Sequence, residues 1–315
     1  MALDETCPKA AVRVEPAEPR NFRRRRSHKL FFAACGALFL LITFAPGSVR
    51  AAWARLTGFI SVGEEPVPVA PSASFDLPTG GLSSLTGQQQ AELLMDATIN
   101  RDARAALLVT ERAQHWRGTL KLTPELTGTL QTALNEHDLR ARAAALEVYL
   151  AVYNVAKTPR SAAHLRAVAQ SDPKSRGWAL WMLGALGNRG IEREAALATL
   201  LAHLHDSDEQ TRYWTIEGLA HLGSDGTIAP LLDEFRNDPA KQVRERAACS
   251  LAESGMLTHQ QRMNAVPGLL AITQDAAANP TTKQWAFQAL RAITGETFGA
   301  DSAAWQRWWA NRLQQ

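Results

Sequence analysis

The chain has 315 residues, of which 46% are hydrophobic, 7% are aromatic and 21% are charged. That length would allow two domains, but repeats add residues without adding a second core. Lys and Arg number 34 against 31 Asp and Glu, and the excess lies before Gln88, because residues 88–315 hold 24 basic and 24 acidic side chains. A neutral array lacks the basic footprint that nonspecific phosphate binding needs, so the composition argues against nucleic acid as a partner.

The first 49 residues divide into a basic tail and an apolar segment. Residues 1–29 are rich in Pro, Ala and Arg with little apolar periodicity, which predicts a disordered tail. Residues 30–49 carry no charge, and about 20 apolar residues in a helix cross a hydrocarbon core of roughly 30 Å. Because Arg-rich flanks stay on the cytoplasmic side, we predict a single-pass protein of the inner (cytoplasmic) membrane. Its N-terminus would be cytoplasmic and its repeat domain extracytoplasmic.

A cleaved signal peptide is the alternative interpretation of residues 30–49. Val49, Arg50 and Ala51 place small or aliphatic residues at the usual cleavage spacing. Cleavage would release a secreted binding module, whereas an uncleaved segment would act as a transmembrane anchor. Both alternatives export the part of the chain that follows.

A linker separates the apolar segment from the predicted helices. Residues 50–87 are rich in Pro, Ser and Gly, a composition that behaves as a partly extended tether. Helical signals begin at Thr86, which has Gln89 three residues later in a capping-box pattern, and begin again at Thr123 with Pro124 in the first turn. We predict that residues 88–137 form N-terminal capping helices.

Residues 138–294 repeat one helical template. Each copy has an acidic or Asn-Pro start, then a basic residue, then small and apolar residues at helical spacing; the basic residues are Arg142, Arg176, Arg212, Arg244 and Lys283. Their steps of 34, 36, 32 and 39 positions fit two short helices with two turns. No single pair can bury its apolar faces alone, so stability must come from stacking. The pattern predicts an all-α solenoid.

The template also predicts where its helices begin and end. An Asp or Asn before Pro can cap the first turn, and this signal occurs at Asp172, Asp238 and Asn279. Glycines after the apolar run suit left-handed helix ends; they are Gly187, Gly223 and Gly255.

The template resembles the HEAT repeat, especially the short bacterial type named after the phycobilisome lyases. The matching residues in one copy are Asp238, Pro239, Val243, Arg244, Ala247 and Leu251, with their equivalents in the other copies. The resemblance implies a right-handed α-solenoid of HEAT-like helix pairs whose concave side binds proteins or peptides. It is specific to a fold rather than to an activity.

The acidic and basic positions of the template predict a structural ladder. Each Arg could bond the acidic group or a carbonyl of a neighbouring repeat and so set the stacking angle. The ladder residues are Asp138, Arg142, Asp172, Arg176, Asp208, Arg212 and Arg244.

A second row of positions carries bulky residues. Trp178, Trp214, Trp285 and Arg246 lie two residues after the basic position of their copies, and Arg142 is grouped with them in the first copy. Equivalent positions in a solenoid form a row, and Trp and Arg are enriched at interface hot spots. We predict a partner-binding groove at these five positions. The alternative is that the indoles fill gaps between helices.

The last segment, residues 295–315, predicts a C-terminal capping helix. Trp305, Trp308 and Trp309 stand at i, i+3 and i+4 and so form one apolar stripe that could close the end of the stack.

Metal and catalytic signals are weak in this sequence. His203, His205, Asp206 and Asp208 are candidate metal ligands, but residues two apart point to different sides of a helix. No GxSxG, HExxH, paired-Cys or phosphate-binding glycine motif occurs. We therefore predict no metal, no cofactor, no catalytic residue and no small-molecule substrate.

The sequence as a whole predicts a non-enzymatic, membrane-anchored HEAT-repeat scaffold that binds a protein or peptide partner. The alternative is a bilin-lyase-like enzyme or enzyme subunit, which the repeat type suggests and no identified residue supports.

Overall fold

The computed structural model describes residues 81–312 and Gln314, and every regular element among them is helical. No helix in this part of the chain is both long enough and apolar enough to cross a membrane. The predicted tail at 1–29, the predicted transmembrane helix at 30–49 and most of the predicted linker at 50–87 lie outside the described residues.

The helices follow one another with short connections. Their bounds are α1 Gly87–Ile99, α2 Ala103–Arg112, α3 Pro124–Asn135, α4 Leu139–Val152, α5 Pro159–Ser171, α6 Arg176–Asn188, α7 Arg193–Ala202, α8 Glu209–Leu222, α9 Ile228–Asn237, α10 Lys241–Ala252, α11 His259–Met263, α12 Val266–Gln274, α13 Pro280–Thr294 and α14 Ser302–Arg312. Short 3-10 turns occur at Leu82–Ser84, Ala113–His115 and Asp225–Thr227.

Side-chain caps fix the starts of the early helices. Thr86 and Gln89 form the predicted capping box at α1, in which each side chain bonds the backbone amide of the other residue. Thr123 accepts a hydrogen bond from the Leu126 amide at the start of α3, and Pro124 occupies the first turn. Both predicted helix starts are confirmed.

Helix pairs stack in chain order. The pairs are α3 with α4, α5 with α6, α7 with α8, α9 with α10, and α12 with α13. The second helix of each pair packs against the second helix of the next, so that α4, α6, α8, α10 and α13 form one row. This is the stacking that the repeat period predicts, and the described fold is an all-α array consistent with a solenoid. The long last step of 39 positions accommodates the additional short helix α11.

The row of α4, α6, α8, α10 and α13 is called the inner row below. Four of its helices are buried on all sides in their C-terminal halves. Unbroken runs of buried residues cover 144–151 in α4, 179–187 in α6, 215–222 in α8 and 246–252 in α10. A helix on the surface of an array buries one stripe, whereas a helix that is buried all round is covered on every side. These four helix ends therefore do not line an open concave surface.

Two glycines allow the closest approach within the row. A Cβ on Gly184 of α6 would overlap the carbonyl group of Gly218 in α8, and a Cβ on Gly218 would lie 2.6 Å from the Leu180 carbonyl oxygen. Gly223 ends α8 with a positive φ of 57°, as predicted, whereas Gly255, with a φ of 75°, lies in the connection beyond the end of α10 at Ala252. The prediction for Gly187 is wrong, because this residue lies inside α6.

The C-terminal helix α14 packs against α12. Trp305 is 1% exposed, its ring lies edge-to-face with Phe298 at 5.0 Å, and its Nε1 donates to the Gly299 carbonyl oxygen at 3.1 Å. Trp308 and Trp309 remain partly exposed. One of the three tryptophans is therefore fully buried at this end of the described array.

Candidate functional site

Four arginines near the starts of the inner helices share one contact. Each guanidinium donates to a carbonyl oxygen six or seven residues earlier, either in the last turn of the preceding helix or in the connection after it. The pairs are Arg142 with Glu136 at 2.5 Å, Arg176 with Ala169 at 2.8 Å, Arg212 with Asp206 at 2.9 Å and Arg244 with Asp238 at 2.6 Å. The repeated arginine thus ties each of these four helices to the part of the chain just before it.

The carboxylates that join successive pairs differ from those expected. Arg212 binds Asp238 through two bonds of 2.7 and 3.2 Å, and Arg176 lies 3.6 Å from Asp206. Both acids stand immediately before the next inner helix, six residues ahead of its own arginine. They bridge neighbouring pairs and satisfy charges that are largely buried.

The three template acids have local roles instead. Asp138 pairs with Arg140 and accepts from its amide, Asp172 accepts from the Lys174 amide, and Asp208 accepts from the Thr211 amide. Hydrogen bonds lower the pKa of each carboxyl, chiefly those from the side chains of Arg140 to Asp138, Ser175 to Asp172 and Thr211 to Asp208. The ladder therefore uses the predicted arginines but not the predicted acids.

Two members of the predicted groove are buried rather than displayed. Arg246 is 8% exposed and forms a two-bond pair with Glu217 at 2.5 and 2.8 Å. Arg142 is 3% exposed and donates to the carbonyl oxygens of Glu253 and Gly255, over 100 residues away in sequence. The five positions do not share one exposed surface, because the inner helices cover each other at these points.

The surroundings of Glu217 and Arg246 form a polar core. Burial raises the pKa of Glu217, but Arg246 more than offsets this and holds it below the ordinary range. His221 is 3% exposed, lies 5.7 Å from the Trp181 ring, and has its pKa lowered to about 4 by burial. Glu147 is 1% exposed and binds Lys157 at 2.9 Å. Charges in this core are matched, which suits cross-linking of helices.

Each of the three predicted tryptophans contacts the preceding helix pair. Trp214 in α8 covers Gly177 of α6, where a Cβ would overlap its ring. Lys241 of α10 lies 5.7 Å from the centroid of the Trp285 ring. Trp178 in α6 meets Tyr153, which follows α4, at 6.0 Å and 65°. All three indoles are half-buried and occupy gaps between pairs.

Trp178 also lines a pocket of about 330 Å³. Its apolar wall comprises Tyr153, Val155, Leu165 and Trp178. Its polar wall comprises Asn154, Arg160, Ser161 and His164. The pocket therefore lies where the end of α4, the first turns of α5 and the start of α6 meet.

Local structure fixes the polar wall. Thr158 accepts from the Ser161 amide and Pro159 opens α5, which places residues 160, 161 and 164 on neighbouring positions of its first turns. Asn154 has a left-handed φ of 56°, and its Oδ1 accepts from Arg117 Nε at 2.9 Å. Arg160 and His164 are exposed, and neither makes a hydrogen bond or ion pair with another described residue.

Sequence reasoning found only Trp178 among these residues. The Thr158 and Pro159 cap would have indicated that Arg160 lies in a first turn. No local pattern states that this turn faces the indole of the following helix, because that contact depends on how α5 and α6 pack.

The candidate metal ligands do not converge on one point. His203 lies 3.6 Å from Asp206, whereas His205 lies 3.1 Å from Glu234, and Asp208 caps α8. His205, Asp233 and Glu234 do place one ligand atom each within 4.8 Å of one another. Burial and a hydrogen bond with Asp238 raise the pKa of Glu234 to about 8, which favours its protonated form at neutral pH. We assign no metal to this group.

The sequence of residues 167–252, from the later part of α5 to the end of α10, matches the family model that describes HEAT repeats. Comparison with curated proteins finds no match to the chain. The repeat match and the all-helical stack of pairs together support a HEAT-repeat protein. Repeats of this kind present extended surfaces on which other proteins bind.

Proposed function

We propose that this HEAT-repeat protein is a noncatalytic scaffold that binds protein partners on the extracytoplasmic side of a membrane. The observation that carries the binding role is the pocket beside Trp178, where Arg160 is exposed and unpaired. In contrast, Arg142, Arg212 and Arg246 are all engaged inside the array. A HEAT fold whose buried arginines are engaged inside the array leaves its outer pockets and edges for recognition.

A noncatalytic role is supported by the way the buried ionisable groups are used. Glu217 with Arg246 joins α8 to α10, and Arg212 with Asp238 joins α8 to the turn before α10. Paired charges that cross-link helices have their lone pairs and protons occupied. In this proposal the two ion pairs stabilise the packing of the helices and do not act as catalytic acids or bases.

The membrane location rests on residues 30–49 and on the Arg-rich segment before them. We place the described helices outside the cytoplasm, joined to a transmembrane anchor by the linker. We also propose the right-handed superhelix and the short bacterial HEAT type for the repeats, on the residues that carry the resemblance.

Partner binding is tested by crosslinking the full-length protein in its native membranes and purifying it under denaturing conditions. We expect one or a few proteins crosslinked through residues 81–312 in amounts comparable to the bait. Recovery of the bait alone, under conditions in which a known membrane complex is crosslinked, would contradict the proposal. Conversion of a tetrapyrrole by the purified chain, seen in its absorbance spectrum, would favour the enzymatic alternative.

Membrane topology is tested separately by protease treatment of sealed vesicles. We expect the helices of residues 81–312 to be cut only when the extracytoplasmic face is outside, and the intact mass to include residues 30–49. A measured mass that corresponds to a chain starting near residue 51 would contradict the transmembrane anchor and favour a secreted module. Digestion only from the cytoplasmic face would reject the predicted orientation.

A further inference from the structure

We propose that the pocket formed by α4, α5 and α6 binds an acidic peptide segment, with a carboxylate next to an aromatic or large aliphatic side chain. This inference rests on the proposed scaffold function and names the site and the class of ligand. Three features of the pocket support it, namely its shape, its charge and the lack of exposed apolar surface around it.

The apolar wall suits one large side chain. The rings of Trp178 and Tyr153 meet edge-to-face at 6.0 Å, and Val155 and Leu165 are 6% and 1% exposed at the pocket. A volume of about 330 Å³ is at the lower end of the range for ligand pockets. It therefore accommodates a side chain with part of its backbone rather than a large cofactor.

The same wall contains unmet hydrogen-bonding capacity. The Tyr153 hydroxyl and the Trp178 Nε1 are buried atoms without a hydrogen-bond partner. Leaving such a buried group unpaired is energetically unfavourable. A polar peptide group that enters the pocket can supply a partner after a small shift of either side chain, which a purely apolar ligand cannot do.

The polar wall selects for negative charge. Arg160 and His164 are exposed and unpaired, none of the eight lining residues is acidic, and Arg117 is held at Asn154 on the rim. A guanidinium presents a planar fork that matches the two oxygens of a carboxylate. Charge complementarity therefore favours a ligand that places an acidic group beside the aromatic wall of the pocket.

A peptide fits these observations better than a lipid surface. A protein that inserts into a bilayer presents exposed apolar side chains. Among the described residues the large exposed hydrophobic side chains are Leu107 and Leu201, and neither lines this pocket. The ligand that remains combines one apolar side chain with one carboxylate on a short backbone, which is the chemistry of a peptide.

The test is a titration of the purified full-length protein with N-acetyl-Glu-Phe, followed through the indole N–H signals of its tryptophans by NMR. The Trp178 signal is identified by its loss in Trp178→Phe. We expect the Trp178 signal to shift and saturate. N-acetyl-Gln-Phe-amide lacks both carboxylates of N-acetyl-Glu-Phe and so offers Arg160 no charge-assisted bond; it should bind at least about tenfold more weakly.

Matched variants separate the site from general charge. Arg160→Gln should weaken N-acetyl-Glu-Phe at least about tenfold. Arg104→Gln should leave binding unchanged, because Arg104 is also an exposed second residue of a helix but lies away from the pocket. Unchanged melting temperatures show that both variants are folded.

Three results would overturn the proposal. They are equal binding of the charged and neutral peptides, unchanged binding in Arg160→Gln, and binding to phosphatidylglycerol vesicles that depends on Arg160 when the peptide does not bind. The purified chain is tested without any cellular partner, so a failed crosslinking experiment leaves this result intact. Peptide binding lost in Arg160→Gln while cellular crosslinks persist would place the partner surface elsewhere and reject the pocket as its site.

Discussion

The pair of Glu217 and Arg246 shows what a single residue contributes to this array. Both side chains are buried and joined by two hydrogen bonds between α8 and α10. Arg246→Met leaves the Glu217 carboxylate buried and unpaired, so we expect the free energy of unfolding to fall by about 3–5 kcal/mol. Urea denaturation followed by circular dichroism measures the loss.

Two control variants make this expectation specific. Arg246→Met with Glu217→Leu should recover most of the lost stability, because no charge is then left without a partner. Arg236→Met removes a more exposed pair with Asp275 and should cost about 1 kcal/mol or less. A cost for Arg246→Met no larger than for Arg236→Met would show that the Glu217 pair is not buried.

His221 makes stability depend on pH. Burial lowers its folded pKa to about 4, whereas the unfolded side chain titrates near 6.5. The nearby Glu217 raises the pKa, and Arg246 and Arg142 lower it further. The stabilising contribution is complete above the unfolded pKa and is lost as the pH falls from about 6.5 toward 4, because only the unfolded state takes up the proton.

We expect His221 to account for about 2 kcal/mol of lost unfolding free energy between pH 7 and pH 5. Urea denaturation at the two pH values should show a smaller difference in His221→Gln than in the wild type. The exposed His259, replaced in His259→Gln, is the matched control and should retain the wild-type difference. Equal pH dependence in all three proteins would mean that His221 is accessible to protons in the folded state.

At the element scale, the contact between α6 and α8 depends on two glycines. Gly184→Ala puts a methyl group into the Gly218 carbonyl, so the helices must separate, and we expect a loss of about 3 kcal/mol or more. Gly128→Ala in α3 meets no atom within 4 Å and should stabilise the protein by up to about 1 kcal/mol through helix propensity. The midpoints of urea denaturation, at unchanged slopes, measure the change in stability of each variant. Similar changes in both variants would contradict the close contact between α6 and α8.

Helix boundaries show how far the sequence predicts the elements. Thr86 and Thr123 cap helices as predicted, and Asn279 accepts from the Thr281 amide at the start of α13. Asp172 and Asp238 instead begin turns, and α6 and α10 start only at residues 176 and 241. Pro after Asp fits both a turn and a first helical turn, so the local pattern does not separate them.

At the scale of the whole array, the period of the repeats predicts the stacking of pairs. Each period contains one helix pair, and successive pairs pack in chain order. The period does not predict the angle by which each helix pair is rotated relative to the previous pair. Arg142 reaches the carbonyl of Gly255 across four repeats, and this contact depends on the accumulated rotation of every pair between them. For the same reason, the sequence suggested that Arg142 and Arg246 face a partner, whereas Arg142 binds the connection after α10 and Arg246 binds Glu217 of α8.

Because the inner row is buried, we propose that partners bind on the outside of the array rather than along the inner row. Partner binding by Trp178 also stays a prediction, and the pocket that this residue lines beside the first turns of α5 is the place where we propose it. Partner binding by Trp214 and Trp285 stays a prediction, since both are half-buried between pairs.

Hydroxyl-radical footprinting of the folded, full-length protein tests the closed interior most directly. Tyr149 and Trp181 are 2% and 1% exposed and lie edge-to-face at 4.9 Å within the inner row, whereas Trp309 is partly exposed on α14. We expect Trp309 to be oxidised readily, Tyr149 and Trp181 to stay near background, and all three to react once the protein is unfolded in urea. Oxidation of Tyr149 and Trp181 in the folded protein at the rate of Trp309 would show an open inner surface and contradict the structure's central feature.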